Sequence, residues 1–403
     1  PCGRGAVRGT VSDAERVPAL VFGNGLTQLG VLRALGRVGV PAFAVCSRED
    51  FVRHSRWFRA APPRAEGMSL PEYLESVPVE RAVLVPCSDS WVATIAALGP
   101  QHADRFPASV PPLAAVNGLV DKLSFAELLR ATGVPHPHTQ ELGSVADLDR
   151  VPEACLSGTT FLKPRDSQRF VSRFNVKGFR VASRAGAVAR LQEIETAGLS
   201  VVLQEYIPGP ASRHYYVEGF VDARQQVRVW FARQRLRMYP PDFGNSTYFV
   251  SVPLDEVAGA VSSMTTLLAH LKYRGIFSAE FKRDDRDGEF KLLEVNARPW
   301  WYVDFAVRSG ADVVTACYRD ALGVPVDTVT QYRVGTTCMY PHYDYCASRA
   351  EGWTPQRLAA WIGALARAQQ PVFTWTDPVP ALTLVAGIAR GRIRKLLGIG
   401  VGP

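Results

Sequence analysis

The sequence predicts a mixed architecture, an α/β unit at the start followed by a larger α+β region. Three observations carry that expectation. Residues 19 to 46 read strand, glycine turn, helix, strand; residues 158 to 325 mix strands and helices; and Gly275 to Trp301 reads as a hairpin with polar residues aligned on one face.

The first unit is the clearest. ALVFGNG is a short buried run, LTQLGVLRALGRVG has helical spacing, and VPAFAVC returns to a strand, which together make a βαβ unit. A further strand, Ala82 to Ser90, leads into the apolar helix WVATIAAL. Gly23, Gly25 and Gly30 approach a dinucleotide-binding pattern, but GxGxxG needs glycine at position 28, where this chain has Gln28. The glycines are therefore read as a tight strand-to-helix turn, and NAD binding is rejected. VDKLSFAELLRATGVPHPHT, Val120 to Thr139, is an amphipathic helix stopped by Gly133 and followed by an extended proline-containing segment. LSVVLQEYIPGP, Leu199 to Pro210, is a buried strand ending in a Pro-Gly turn. Four regions are expected: a tail over 1–18, an α/β domain over 19–115, a two-part domain over 116–325, and a C-terminal extension over 326–403.

Of the 403 residues, 47% are hydrophobic and 21% charged, as in a globular protein with room for two or three domains. The chain has no run of about 18 apolar residues, and Pro1 to Pro18 lacks the apolar stretch of a secretory signal, so a cytoplasmic location is expected. Seven cysteines (Cys2, Cys46, Cys87, Cys155, Cys317, Cys338, Cys346) form no CxxC pair and suggest neither a disulfide framework nor a zinc site. The formal charge of +8 suits anionic ligands such as nucleotide phosphates. Lys and Arg are dispersed and no nucleic-acid motif occurs, so nucleic acid is not an expected partner.

The chemistry concentrates in GIFSAEFKRDDRDGEFKLLEVNARPWW. In its second strand Glu294, Asn296 and Arg298 alternate with Val295 and Ala297, so the three project from one face. Glu280 lies 14 positions before Glu294, and hairpin pairing would bring the two carboxylates together. Two carboxylates and an amide oxygen are hard ligands suited to Mg²⁺ shared with phosphates, and the nearby arginine could stabilise a transferring phosphoryl group. Lys163, in TTFLKPRD at the end of an apolar strand, could reach phosphate oxygens, and Lys122 opens the amphipathic helix. At QEYIPG, backbone groups could meet a purine edge between Tyr206 and Ile207.

These segments, in this order, resemble the ATP-grasp superfamily, most closely its carboxylate-amine ligase branch, related to D-aspartate ligase and the carbamoyl phosphate synthase large subunit. The likeness covers roughly residues 19 to 325 and is most specific over 120 to 300, where EVNARP, DK with TGVPHPHT, FLKP and QEYIPG stand. It implies an ATP-grasp fold behind an N-terminal βαβ (pre-ATP-grasp) domain. It also implies that Lys122 and Lys163 contact ATP phosphates, that Gln204, Glu205, Tyr206 and Ile207 line the adenine pocket, that Glu280, Glu294 and Asn296 ligate Mg²⁺, with Mn²⁺ as an alternative, and that Arg298 faces the reacting groups. The implied reaction joins a carboxylate to an amine through an acyl phosphate, with ADP and phosphate released. An ATP-grasp kinase, a carbamate-forming enzyme and a nucleotide-binding regulatory protein without turnover are the alternatives.

The chain departs from the family's pattern in two places. Where a glycine-rich loop usually follows the FLKP-like strand, it reads SQRFVSRFNVKGF, so Arg169, Arg173 and Lys177 either cover the phosphates or form a solvated basic loop. The carboxylate expected for the ribose after QEYIPG is missing; Ser212 or His214 stands in its place. In ARQRLRMYPPDFGNSTYF, Arg235 and Arg237 alternate on one strand face, where either could pair with a substrate carboxylate or simply meet solvent. His136 and His138 are read as structural. The segment DPVPALTLVAGIARGRIRKLLG is an apolar helix with Arg390, Arg392, Arg394 and Lys395 near its other side; packing on its own domain is favoured over contact with an anionic membrane.

Overall fold

The computed structural model describes residues 16–45, 51–165, 167–240 and 244–396, without the side chains of Ser167, Gln168 and residues 391–396. Cys2, Cys46, most of the expected tail, residues 241–243 of the basic-aromatic stretch, and the side chains of Arg392, Arg394 and Lys395 lie outside the described residues. The strands are β1 (Ala19–Phe22), β2 (Ala42–Val45), β3 (Val83–Pro86), β4 (Thr139–Leu142), β5 (Thr160–Pro164), β6 (Phe179–Val181), β7 (Val201–Glu205), β8 (His214–Val221), β9 (Val227–Tyr239), β10 (Asn245–Ser251), β11 (Gly275–Arg283), β12 (Phe290–Asn296) and β13 (Thr337–Met339).

They form three sheets. A parallel sheet of order β2-β1-β3 holds the βαβ unit; an antiparallel sheet of order β4-β7-β5-β6 follows; the largest, antiparallel, has the order β12-β11-β8-β9-β10-β13. β1 and β3 are buried along their whole length, as continuous apolar runs in a covered parallel sheet must be. The helix Gly25–Arg37 crosses between β1 and β2. Gln28, which breaks the dinucleotide pattern, is fully buried and donates from Nε2 to the carbonyl of Val21 at 2.9 Å. A Cβ on Gly30 would stand 2.7 Å from Cγ1 of Val303, so that glycine permits close helix packing, a structural role.

The helix Lys122–Thr132 begins where expected, capped by the Asp121 side chain at the amide of Ser124 and stopped at Gly133 in the left-handed conformation. One expectation is corrected. SQRFVSRF is a helix, Ser167–Phe174, where the basic, glycine-poor sequence suggested a loop. Phe170 and Phe174, one turn apart, lie tilted on each other at 4.8 Å and both meet Phe179, and Phe170 is fully buried in the core beside the small sheet. The glycine that remains, Gly178, lets the chain return close to β5, since a Cβ there would stand 2.8 Å from the carbonyl oxygen of Leu162.

The C-terminal residues are woven into the rest. β13 adds to the largest sheet beside β10. Arg33, fully buried in the first helix, donates to Asp377 at 3.0 Å and to the carbonyls of Pro371 and Val372 at 3.0 and 2.7 Å. The helix Val379–Leu396 packs through Ala381 and Leu384, while Leu382 and Val385 stay exposed. No helix among the described residues is long and apolar enough to cross a membrane. Cys87, Cys317 and Cys338 are buried free thiols, with Cys155 and Cys346 partly buried.

Candidate active site

Antiparallel pairing of β11 with β12 sets Glu280 directly opposite Glu294 and Ser278 opposite Asn296, so the metal-ligand set proposed from sequence shares one sheet face. The register slips by one residue immediately after that pair, Phe281 facing Leu292, a bulge of the kind that re-aims a side chain beside a site. Two carboxylates and an adjacent amide oxygen suit a hard divalent cation. Among the described residues no group of three or more His, Cys, Asp or Glu is arranged to hold a metal ion by itself, so Asn296 and oxygens from a phosphate ligand would have to complete the shell.

Lys163 stands on β5, within electrostatic reach of this pair. Its ammonium feels the charges of Glu280 and Glu294, yet burial first, and the nearby Lys122 and Lys177 charges next, push it down to about 8. Glu280 moves the other way. Burial favours its protonated form, but the Arg235 charge and the His214 hydrogen bond outweigh burial and hold the carboxyl well below the usual range. Lys177 donates to Asn245 Oδ1 at 2.8 Å, bridging the β5–β6 connection to the largest sheet.

A cavity of about 550 Å³ opens beside Glu294, lined by Asp89, Asn117, Lys122, Arg165, Glu294 and Asn296. That volume is in the range that holds a small-molecule ligand. Arg298 ties two of the lining residues together, donating from Nε and Nη2 to Asp89 and from Nη2 to Asn296 Oδ1 at 2.9 Å.

Around QEYIPG, Gln204 is buried and donates to Thr139 Oγ1 at 3.1 Å, and it shares a narrow cavity with Lys122, Phe125, His136 and Leu292. The Glu205 carboxylate accepts from the His138 amide at 3.0 Å and from Arg286 at 2.6 Å. The Tyr206 ring meets Phe161 edge-on and has Arg180 and Lys282 over it at 4.8 and 4.6 Å. Ile207 is buried. Ser212 lies in the turn Ala211–Arg213, its carbonyl accepting from Gln234 at 2.8 Å. Arg169 is exposed on the helix Ser167–Phe174.

Arg235 and Arg237 of β9 divide. Arg237 does not present a free fork to the cleft: Nε and Nη2 are held by Asp344 at 3.0 and 2.8 Å, and Asp344 also accepts from Thr247 and Trp361. Arg235 is the one that reaches Glu280, at 3.0 Å, from a nearly fully buried position. Sequence reasoning missed Asp89. Its signal was available, because it stands just beyond the carboxyl end of a parallel strand, where α/β folds place ligand contacts. It also missed the link of Arg235 and His214 to Glu280, which depends on a sheet order no local pattern shows.

No family model matches the chain. D-aspartate ligase from Enterococcus faecium is 25% identical over 228 residues, 54% of this chain and 53% of that protein, so the chain spans about half the length of that relative. N5-carboxyaminoimidazole synthetase from Staphylococcus aureus superposes with a TM-score of 0.63 at 12% identity, over 83% of this chain and 85% of that one; that enzyme has also been solved with ADP. L-amino acid ligase from Bacillus licheniformis gives a TM-score of 0.59 at 16% identity, over 80% and 78% of the two chains. With a small antiparallel sheet set against a carboxylate hairpin of a larger one, behind a parallel βαβ domain, the chain has the ATP-grasp fold.

Proposed function

We propose that this protein is an ATP-dependent carboxylate-amine ligase. The observation that carries the reading is the facing pair Glu280 and Glu294, with Asn296 two residues beyond Glu294 on the same strand. In this reading Lys122 and Lys163 hold the ATP phosphates, with Arg169 on their outer side. Gln204, Glu205, Tyr206 and Ile207 line the adenine pocket and Ser212 meets the ribose. Mg²⁺ held by Glu280, Glu294 and Asn296, with Mn²⁺ able to take its place, would neutralise charge on the phosphates.

Arg298, its fork held by Asp89 and Asn296, would set its charge toward the γ-phosphate and the substrate carboxylate. A carboxylate oxygen attacks the γ-phosphorus and ADP departs; the amine nitrogen then attacks the acyl carbon, loses a proton, and phosphate leaves with that oxygen. Positioning and charge neutralisation supply the acceleration, so the reaction requires no side-chain nucleophile. Arg237, held by Asp344, belongs to the frame of the site. The D-aspartate ligase likeness supports amide formation in preference to other outcomes of the same fold.

The test is interception. Carboxylates, amino acids first, are screened with ATP, Mg²⁺ and hydroxylamine in place of the natural amine. A hydroxamate formed with ADP and phosphate is the expected result. AMP and pyrophosphate would mean adenylation and end this reading, and ADP with a stable phosphorylated product and no hydroxamate would make the protein a kinase.

A further inference from the structure

Glu280 is the meeting point of two side chains outside the proposed ligand set. Its Oε1 accepts from His214 Nδ1 at 2.8 Å and from Arg235 Nη2 at 3.0 Å. Both partners come from the same face of the largest sheet, His214 from β8 and Arg235 from β9, and both are buried. Arg235 is itself aimed: Nε donates to Ser246 Oγ at 2.9 Å, Nη2 also contacts the Tyr216 hydroxyl, and Ser246 Oγ donates to that hydroxyl at 3.1 Å. The chain from β10 through β9 and β8 to β11 thus ends on one oxygen atom.

A carboxylate has two oxygens, and concentrating both hydrogen bonds on Oε1 restrains the torsion of the group and leaves Oε2 for a ligand, with Glu294 opposite in the ladder. Ligating carboxylates need such orientation, because a ligand that must be frozen into place on binding costs affinity. We propose that His214 and Arg235 are positioning residues, holding Glu280 in the orientation that presents Oε2 to a divalent cation shared with Glu294 and Asn296. The inference rests on the ligase reading for the identity of Glu280 as a cation ligand.

The test measures metal binding without turnover: Mn²⁺ is titrated by electron paramagnetic resonance in the presence of a non-hydrolysable ATP analogue. His214→Ala is expected to weaken Mn²⁺ binding by about ten-fold or more, the usual cost of losing such a partner. His214→Asn, whose amide nitrogen falls near the place of Nδ1, should recover most of it. Arg235→Lys, which keeps the charge and loses the fork, should weaken binding similarly and serves if His214→Ala fails to fold. Mn²⁺ binding within about two-fold of wild type in both His214→Ala and Arg235→Lys, while Glu280→Gln loses it, would overturn the positioning role and leave the site intact. Equal binding by wild type and Glu280→Gln would instead remove Glu280 from the ligand set, and with it the reading on which the inference rests.

Discussion

Arg298 donates from Nε and Nη2 to the two carboxylate oxygens of Asp89, at 2.9 and 3.1 Å, across 209 residues of sequence. This two-pronged contact registers the end of the EVNARP strand against the first turn of the helix Asp89–Ala96, so the parallel domain helps aim the arginine. Asp89→Asn keeps the shape and drops the charge. It is expected to lower ADP-forming turnover by about 10²-fold, the scale of a small misplacement of a positioned group, while the melting temperature moves by only about a few degrees. Kinetics measured beside a thermal melt check this; a lowered melting temperature with unchanged kcat would leave Asp89 with packing alone.

Glu294 is exposed on its strand, so Glu294→Gln opens no cavity and removes one negative charge from a hard-cation site. Turnover should fall by on the order of 10²-fold or more with the fold retained. Wild-type ADP release by this variant at ordinary Mg²⁺ concentrations would take Glu294 out of the site.

Lys163, held near pH 8 by burial and by Lys122, makes nucleotide affinity depend on pH in a stated direction. Below that value the ammonium is charged and attracts phosphate; as pH rises through it the charge is lost, and bound phosphates would move the midpoint upward. Affinity for a non-hydrolysable ATP analogue should therefore fall between about pH 7 and pH 10, whereas Lys163→Met should bind roughly ten-fold or more weakly and lose this dependence. Equal affinities for the two proteins at neutral pH would count against a phosphate contact.

Arg237 and Asp344 offer a contrasting case. Asp344 is fully buried and Arg237 keeps 25% of its side-chain surface in water, so Asp344→Ala should destabilise the protein by about 2 kcal/mol, below the usual cost of breaking a fully buried pair. Urea unfolding reads this directly. Arg237→Ala should likewise lower stability with little change in substrate KM, and a selective rise in KM with full stability would return Arg237 to the substrate site.

The hairpin was legible because period-two alternation in EVNARP and a turn of Asp and Gly fix both the face and the pairing of Glu280 with Glu294. The βαβ unit and the helix after Asp121 were legible for the same local reasons. The helix Ser167–Phe174 was not, since its basic residues mask the apolar pair Phe170 and Phe174, and their shared partner Phe179 lies outside the helix. The partners of Arg298, Arg235 and Arg237 were hidden for another reason: Asp89, Glu280 and Asp344 are 209, 45 and 107 residues away, and only the tertiary arrangement decides which carboxylate each arginine meets.

Arg33 lies 344 residues from Asp377 in sequence, and its guanidinium has no water to return to while the surrounding structure stands. Melting the first helix would strand the carboxylate that Ser55 and the Arg56 amide also share, at 2.7 and 2.9 Å, and melting the C-terminal segment would strand the guanidinium. Neither end can therefore come apart first at low cost. Calorimetry should show the parallel domain and residues around Asp377 melting in one transition, and a chain cut after residue 325 should lose that domain's stability even though the cut falls far from β1.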